Sequence, residues 1–371
     1  MTDLTTVPLA FQRRIRPERL RRFAAAALEQ VGVEPQGALQ VAEVLAAADR
    51  RGVHSHGVFR LPAYVEAVER GLVETHPTIT VERETAVSAL VDGGNGFGAL
   101  ASRRAMGLCI EKAQTAGLAA VAVHGSTHNG MMAYYSMMAL PHNMIGFAAT
   151  NANTWVAPTG AAKKAFGTNP LTVAVPAGEE RPFVLDMATS VVSHGKIATR
   201  HEQGLPLPLG WGLDGKGRPT TDGHQVLNGG SILPLGGLEE TSGYKGYGLS
   251  MLVDLLCGPL TGSLFGVAIQ SWLVPGRTQP YNVGHFFAAL RVDLFRPLEE
   301  FKADVDRLIR QTRGLPKAPG VPRIYVAGEK EWENDQQSQE LGIPLPIPER
   351  EALARLADRL GLQDLYGALE G

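Results

Sequence analysis

The chain has 371 residues, of which 44% are hydrophobic and 19% charged, and its formal net charge at pH 7 is −2. This composition is that of an ordinary globular protein, and the length suggests two domains or one large interwoven unit. The small net charge gives no reason to expect a nucleic acid or a membrane surface as partner. The two cysteines, Cys109 and Cys257, lie in apolar surroundings, which favours buried thiols in a reducing cytoplasm over a disulfide framework.

The first part of the chain predicts helices. Apolar spacing predicts one helix over residues 17–31, which starts at Pro17 and is closed by Gly32, and another over residues 36–50. A proline cannot lie deep inside a helix, so a third helix is expected to start at Pro62. Arg60 then lies in the turn before that helix, where it is able to point into a cleft.

The segment between the second and third helices, Asp49-Arg-Arg-Gly-Val-His-Ser-His-Gly-Val-Phe-Arg-Leu61, carries the most informative chemistry. A histidine exchanges protons near neutral pH, and an arginine fork holds a carboxylate in a fixed orientation. Ser55, His56 and Arg60 are therefore predicted to bind a small acid and to protonate the atom beside its carboxylate. The alternative is that Ser55 caps the next helix and His56 lies in solvent.

A strand–helix–strand pattern follows. It consists of a strand over residues 86–92, a glycine-rich turn over 93–98, a helix over 101–117 and a strand over 118–123. Gly94, Gly96 and Ala99 match the dinucleotide fingerprint, but the second strand ends in His124 and a glycine, not in the acid that binds a ribose. The fingerprint is therefore a weak indication of a nucleotide site.

The rest of the chain alternates short strands, turns and helices. Strands are expected over residues 145–150, 171–176, 183–186 and 284–293, and helices over 250–257, 298–313 and 348–360. The most apolar stretch, residues 248–274, is interrupted by Asp254, Pro259 and several glycines, which indicates a buried helix and turn instead of a membrane span. The pattern as a whole predicts a mixed α/β protein with helices concentrated at its two ends.

Five further segments combine glycines with polar side chains. They are Gly125–Gly130 with His128, Gly167–Pro170 with Thr168, Asp186–Ser190 followed by Lys196, Gly243–Gly248 with Lys245, and Val326–Glu329, which is expected to end a late strand. Lys245 lies among glycines at a helix start, which suits a phosphate. Each segment alone is more often a tight turn than a site, but five in one chain indicate a ligand site.

Taken together, these motifs resemble the type 2 malate/L-lactate dehydrogenase family, which includes ureidoglycolate, sulfolactate and diketogulonate dehydrogenases and cyclic imino-acid reductases. The resemblance extends over about residues 15–335. Its motifs are Ser55-His56-Gly57 with Arg60 and Tyr64, Gly167–Pro170, Asp186–Ser190 with Gly195-Lys196, Gly210-Trp211 with Pro219–Asp222, and Gly243–Leu249 with Gly284–Phe287.

The resemblance implies an α/β fold that binds a nicotinamide cofactor, is not a Rossmann fold and has helical N- and C-terminal regions. Residues 1–75 are expected to form a helical region that carries the Ser-His-Gly turn and packs with the helices of 298–371. Residues 76–297 are expected to form the α/β cofactor-binding region. The resemblance also implies a homodimer with its active site near the interface.

For the site itself, the resemblance implies that His56 is the proton donor, assisted by Ser55, and that Arg60 holds the substrate carboxylate. Thr168 lines the substrate pocket, and either Asp186 or Lys196 completes a proton relay. His128 has a catalytic role or lies beside the nicotinamide. The cofactor, NAD or NADP, is held by His128, Asn129, Gly130, Asp186, Met187, Ala188, Tyr244, Lys245, Gly328 and Glu329.

These expectations describe a cytoplasmic oxidoreductase without a metal. It moves hydride between NAD(P) and the carbon alpha to the carboxylate of a small 2-hydroxy or 2-oxo acid or a cyclic imino acid. Asn129 replaces an aromatic residue present in many relatives, so the substrate cannot be copied from any one of them. One alternative is a metal-dependent hydrolase that uses His54, His56, His124 and His128. Another is a non-catalytic binding protein on the same fold.

Overall fold

The protein is represented by a computed structural model that describes residues 13–271 and 277–370. Its helices are α1 (Pro17–Gln30), α2 (Pro35–Arg50), α3 (Leu61–Glu69), α4 (Gly98–Ala116), α5 (Ala133–Ser136), α6 (His194–Glu202), α7 (Gly223–Leu227), α8 (Gly243–Cys257), α9 (Leu298–Arg313), α10 (Glu329–Leu341), α11 (Ile347–Leu360) and α12 (Gln363–Glu370). The expectations for residues 1–12, 272–274 and 371 fall outside the described residues.

The strands of the described residues form three sheets. They are β1 (Arg13–Ile15), β2 (Thr80–Glu84), β3 (Ser88–Asp92), β4 (Leu118–Ser126), β5 (Met144–Thr150), β6 (Leu171–Val175), β7 (Phe183–Met187), β8 (Gly212–Leu213), β9 (Pro219–Thr220), β10 (Ser231–Ile232), β11 (Val283–Arg291) and β12 (Ile343–Leu345). The central sheet has the order β2-β3-β4-β11-β5-β6-β7, the second has β10-β8-β9, and β1 pairs with β12. In the central sheet β3 and β4 are parallel and every other pair is antiparallel.

Helices cover both faces of the central sheet. Phe287 of β11 belongs to the main core, to which α4 contributes Met106 and Cys109, whereas Phe286 packs with Val253 and Cys257 of α8. Neighbouring residues on a strand point to opposite faces, so α4 and α8 lie on opposite sides of the sheet. Cys109 and Cys257 are buried free thiols, as the sequence predicts.

The helices near the two ends of the chain pack together. α1 contacts α2, α3, α11 and α12, and α10 contacts α2. α1 forms where predicted because Leu20, Phe23 and Ala27 repeat at helical spacing and are all buried. α9 instead lies against residues 178–180, whose backbone N–H groups donate to Asp306. The division of the chain into two domains, with boundaries after residues 75 and 297, remains a proposal.

The glycine fingerprint lies in a true strand–helix–strand unit, β3-α4-β4, and two of its glycines pack closely against Pro77 and Thr78. A Cβ on Gly96 would collide with the ring of Pro77, and one on Gly94 would lie 2.8 Å from the oxygen of Thr78. The backbone N–H of Gly98, at the start of α4, donates to the Thr127 hydroxyl. The first backbone N–H of α4 is therefore satisfied within the protein.

Two predictions are wrong. Val326–Gly328 does not end a strand in the described chain; Glu329 instead opens α10, a helix whose sequence is too polar to show an apolar stripe. The described part of residues 248–274 is not fully buried either. Leu249, Met251, Leu252 and Leu255 of α8 are 37–50% exposed, because nothing in the described chain covers that face. No described helix is both long and apolar enough to cross a membrane.

Candidate active site

Ser55, His56 and Arg60 lie on two consecutive turns of 3₁₀ helix, His54–His56 and Val58–Arg60, which connect α2 to α3. The Ser55 hydroxyl is 2.9 Å from Nδ1 of His56. Arg60 Nε donates a hydrogen bond of 2.8 Å to the backbone oxygen of Ser55. The Ser55 hydroxyl thus contacts the histidine, which favours the catalytic interpretation of this residue over the helix-capping one. We call residues 54–60 the catalytic turn.

The imidazole of His128 lies against that of His56. The two rings are stacked, with centroids 5.6 Å apart and planes 18° apart. His128 follows the end of β4, and its Nδ1 lies 2.7 Å from the hydroxyl oxygen of Tyr64 on α3. Sequence reasoning gave Tyr64 no role, although its spacing of four residues from Arg60 places the two on neighbouring turns. The fold therefore joins two catalytic candidates that are 72 residues apart (128 − 56) in the chain.

Burial and positive charge keep both imidazoles neutral. Burial, followed by the charge of Arg60, lowers the pKa of His56 to about 3. Burial also holds the pKa of His128 well below its usual range, and Arg60, His56 and His285 add to that effect. A neutral imidazole is ready to accept a proton, so near neutral pH the site presents a base beside a fixed guanidinium.

A cavity of about 440 Å³ opens beside the catalytic turn. Five separate parts of the chain supply most of its walls, within residues 51–56, 130–133, 168–170, 184–188 and 325–331. The residues predicted from sequence that line it are Ser55, His56, Gly130, Thr168, Asp186, Met187, Ala188 and Gly328. Its volume is within the range of about 300–1,000 Å³ that is typical of small-molecule and cofactor sites.

Asp186 supplies a titratable carboxyl to this cavity. It is the fourth residue of β7, and its Oδ2 accepts a hydrogen bond of 2.9 Å from the backbone N–H of Ala133. Limited solvation raises its pKa to about 6, although the Ala133 bond and the charge of Arg51 oppose the shift. The side chain remains open to the cavity. It therefore changes charge close to neutral pH within reach of a bound ligand.

Arg51 is a cavity residue that sequence reasoning did not single out. Its side chain is only 4% exposed, and its guanidinium carbon lies 5.0 Å from the ring centroid of Trp332. Burial lowers its pKa, whereas Asp335, Glu331 and Asp186 favour its charged form. The position of Arg51, three residues from His54 in the motif, was the signal available in the sequence.

Three predicted residues are exposed and are not among those that line the cavity. Lys196 lies in the first turn of α6, where its backbone N–H donates to Ser193. Tyr244 and Lys245 lie in the first turn of α8, which begins at the glycines as predicted. The structure of one chain therefore does not bring these side chains to the catalytic turn.

Two other predicted residues are buried behind the cavity. The Asn129 side-chain amide donates to Ser102 and lies near Met132 and His285. Glu329 pairs with Arg313 at 2.6 Å and Arg323 at 3.3 Å. Its carboxylate also accepts from the backbone N–H of Val326. Their side chains thus stabilise the loops that carry His128 and Gly328.

The four histidines of the alternative metal site do not form one ligand set. His54 pairs with Asp49 at 3.0 Å, and His124 pairs with Glu82 at 2.9 Å. Among the described residues, the group of three or more ligand side chains that comes together is Asp49, His54 and Glu349. His56 and His128 face each other instead of sharing an ion with the other two histidines.

A neutral histidine, His194, lies within the electrostatic influence of Arg60 and of Lys164. The His194 ring is 4.1 Å from that of Trp155, and Lys164 Nζ is 4.5 Å from the same Trp155 ring. Burial lowers the pKa of His194, and the positive charges of Arg60 and Lys164 lower it further. The sequence analysis did not single out His194, Trp155 or Lys164. The positive charges of Arg60 and Lys164 suit an anionic substrate.

Comparison with known proteins gives a consistent picture. The profile of the malate/L-lactate dehydrogenase family matches residues 15–354. A malate dehydrogenase from Pyrococcus abyssi is 40% identical over 95% of this chain and 96% of its own length. The NAD(+) ureidoglycolate dehydrogenase of Escherichia coli O157:H7 is 31% identical over 90% of this chain and 92% of its own. The structure of malate dehydrogenase from Pyrococcus horikoshii OT3 superposes with a TM-score of 0.87 at 39% identity, covering 95% of this chain and 96% of that one.

Proposed function

The chain belongs to the malate/L-lactate dehydrogenase family, and from that premise we propose how its catalytic turn and cavity divide the reaction. It is a nicotinamide-dependent oxidoreductase. It moves hydride between the cofactor and the carbon alpha to the carboxylate of a small 2-hydroxy or 2-oxo acid or a cyclic imino acid. This family membership favours the oxidoreductase over the two alternative functions, a metal-dependent hydrolase and a non-catalytic binding protein.

The observation that carries the proposal is the position of His56. Its side chain contacts Ser55, stacks on His128 and lines the cavity, while Arg60 lies four residues further along the same turn. We propose that a carboxylate bound by Arg60 brings the alpha carbon of the substrate next to the imidazole of His56. This is the arrangement required to combine proton transfer with hydride transfer.

The cavity suits a nicotinamide cofactor, which when bound supplies or accepts the hydride. Met131, Val184 and Ala188 offer apolar walls for flat rings, whereas Thr168 and Asp186 offer hydrogen-bonding groups. Gly328 has a φ of +92° and approaches Val184 closely, so the backbone at the start of α10 stays near this wall. We assign cofactor binding to Asp186, Met187, Ala188, Gly130 and Gly328.

Proton exchange is assigned to His56. With Nδ1 bound to Ser55, Nε2 takes the proton of the substrate hydroxyl during oxidation and returns a proton to oxygen or nitrogen during reduction. Arg60 binds the carboxylate through its terminal nitrogens, because its Nε is occupied by Ser55. The substrate carboxylate also offsets the Arg60 charge that lowers the pKa of His56 in the free enzyme.

The remaining assignments rest on the resemblance. His128 supports the nicotinamide side of the site, and Asp186 is favoured over Lys196 for the proton relay because it lines the cavity. For Asn129 and Glu329 we propose that the backbone faces the cofactor, since their side chains hold other parts of the protein. Tyr244 and Lys245 are proposed to reach the cofactor from the exposed start of α8.

We propose that the protein is a homodimer and that a second copy covers α8. Leu249, Met251, Leu252 and Leu255 leave an apolar face on this helix, with further exposed apolar residues at Leu260, Phe265 and Val267. Contiguous apolar surface of this kind marks interaction sites. Sedimentation equilibrium measures the mass of the purified protein directly, and a monomer at micromolar concentration contradicts this assignment.

A substrate and cofactor panel tests the proposed reaction. Purified protein is assayed with oxaloacetate, pyruvate, other 2-oxo acids and cyclic imino-2-carboxylates, each with NADH and with NADPH. The positive charges of Arg60 and Lys164 predict the highest kcat/KM for a 2-oxo acid with a second anionic group. Higher activity with a cyclic imino acid would instead make the protein a reductase of that class, and no turnover with either cofactor would refute the proposal.

A further inference from the structure

Asp49, the penultimate residue of α2, contacts the catalytic turn on both sides of His56. Its side chain is 0% exposed. Oδ1 lies 3.0 Å from Nδ1 of His54, and Oδ2 accepts a hydrogen bond of 2.8 Å from the backbone N–H of Val58. One buried carboxylate therefore bonds to the residues two before and two after His56.

The contact leaves no room for movement of the turn toward α2. A Cβ on Gly57 would collide with the Asp49 carboxylate, so the backbone beside His56 lies directly on these oxygens. The last turns of α2 are themselves fixed, because Ala46, Ala47 and Ala48 are all buried. Asp49 thus connects the catalytic turn to a rigid part of the fold.

A third group adds to the same cluster. Glu349, in the first turn of α11, brings a carboxylate oxygen within 4.8 Å of the Asp49 and His54 ligand atoms. Burial and the nearby Asp49 raise the pKa of Glu349 to about 7. Burial opposes protonation of His54, but the hydrogen bond and the charge of Asp49 outweigh it and raise the pKa of this imidazole. The imidazole of His54 therefore lies close to two acids, and its Nδ1 faces Oδ1 of Asp49.

We infer that Asp49 is a positioning residue for the oxidoreductase reaction: through His54 and the Val58 N–H it sets where His56 and Arg60 stand relative to the substrate. The inference rests on the proposed function of the catalytic turn. Asp49 does not touch the substrate. It acts by holding a turn whose displacement by about 1 Å costs roughly 10²-fold in rate.

The test compares Asp49→Asn with a matched control, Asp306→Asn. Asp306 is also buried, and its oxygens accept from the backbone N–H groups of Gly178, Glu179 and Glu180. Both substitutions remove one charged acceptor from a buried loop-holding carboxylate, but only Asp49 holds the catalytic turn. For each variant we measure kcat, KM, NADH affinity and amide hydrogen exchange.

We expect Asp49→Asn to lower kcat by roughly 10- to 100-fold, to raise the KM of the acid and to leave NADH affinity unchanged. Amide exchange should become faster at residues 56–58. Asp306→Asn should leave kcat unchanged and speed exchange at residues 178–180. Equal kcat in the two variants would overturn the inference, and so would a loss of kcat without faster exchange at residues 56–58.

A second pair of variants covers the case in which Asp49→Asn does not fold. His54→Asn keeps an N–H donor near the Nδ1 position, whereas His54→Leu removes it. We expect His54→Asn to retain kcat and His54→Leu to lose it with faster exchange at residues 56–58; equal kcat in these two would also overturn the inference. Absence of turnover in the unmodified protein would refute the proposed function instead, while the exchange data would still measure the Asp49 contact.

Discussion

The catalytic turn and the cavity beside it are built in different ways. Ser55, His56 and Arg60 lie within six residues (55 through 60), and their mutual hydrogen bonds run between neighbours in the chain. The cavity draws its walls from residues as far apart as Arg51 and Glu331. A site made of adjacent residues can be recognised in the sequence as a motif. A cavity between distant strand ends and loops forms only when the chain folds.

Loss of solvent shifts the pKa values of the two regions in opposite directions. Because it disfavours the charged form of each group, it lowers the pKa of His56 to about 3 and raises that of Asp186 to about 6. The catalytic turn therefore offers a neutral base across the physiological pH range. The cavity instead holds a carboxylic acid that titrates near the lower end of that pH range. The proton-transfer step and cofactor binding should consequently respond to pH in different ranges.

The largest expected effect separates the two imidazoles of the site. His56→Asn should lower kcat by about 10² to 10⁴-fold, the usual contribution of a general acid or base, and leave NADH affinity unchanged. His128→Asn should retain more activity, because we place it beside the nicotinamide. Steady-state kinetics with NADH fluorescence titrations measure both. Near-normal turnover in His56→Asn together with loss in His128→Asn would reverse the assignment of the proton donor.

The pH profile of the unmodified enzyme sharpens the same comparison. With His56 as the proposed proton donor, reduction needs its protonated form, and with a pKa of about 3 in the free enzyme the protonated fraction falls steadily as pH rises from 5 to 8. We therefore expect kcat/KM for reduction to decrease about tenfold per pH unit with respect to this group. Oxidation requires the neutral imidazole of His56, so its kcat/KM should not depend on the ionisation of His56 between pH 5 and 8. A reduction plateau up to pH 7 would contradict this.

Arg60→Lys tests the carboxylate clamp at the end of the turn. Lysine keeps the charge but loses the planar fork, so we expect KM for the acid to rise about 10- to 100-fold, with a smaller loss of kcat. NADH affinity, measured by fluorescence, serves as the internal control and should not change. A lysine variant with the KM of the unmodified protein would show that the substrate carboxylate binds elsewhere.

The smallest expected effects concern the cavity. Asp186 is protonated below about pH 6 and ionised above it, and an ionised carboxylate accepts hydrogen bonds from ribose hydroxyls. NADH affinity should therefore fall a few-fold as pH drops through 6, and Asp186→Asn should abolish that dependence.

Lys245→Ala is measured in parallel. Unchanged NADH affinity in this variant would refute the cofactor role assigned to Lys245.

Much of the fold was predictable because its signals are local. Pro17 and the spacing of Leu20, Phe23 and Ala27 mark α1, and the predicted strand over residues 284–293 lies at β11. The sequence did not predict α10, because Glu329–Leu341 is polar and shows no apolar stripe. The helix packs through Trp332, which lies against Arg51, and through a few buried polar residues. The exposed face of α8 was misjudged because apolar sequence alone does not distinguish a core helix from an unpaired surface.

The sequence by itself determined the family, the residues that make up the catalytic turn and the order of most elements, because each is encoded by neighbouring residues. Only the tertiary structure decided that His128 stacks on His56, that Asp186 and Arg51 share a cavity, and that Asp49 holds the turn from α2. It also left Lys196 and Lys245 at the surface. Distances across the fold and the loss of solvent on burial control these outcomes, and neither is a property of a local motif.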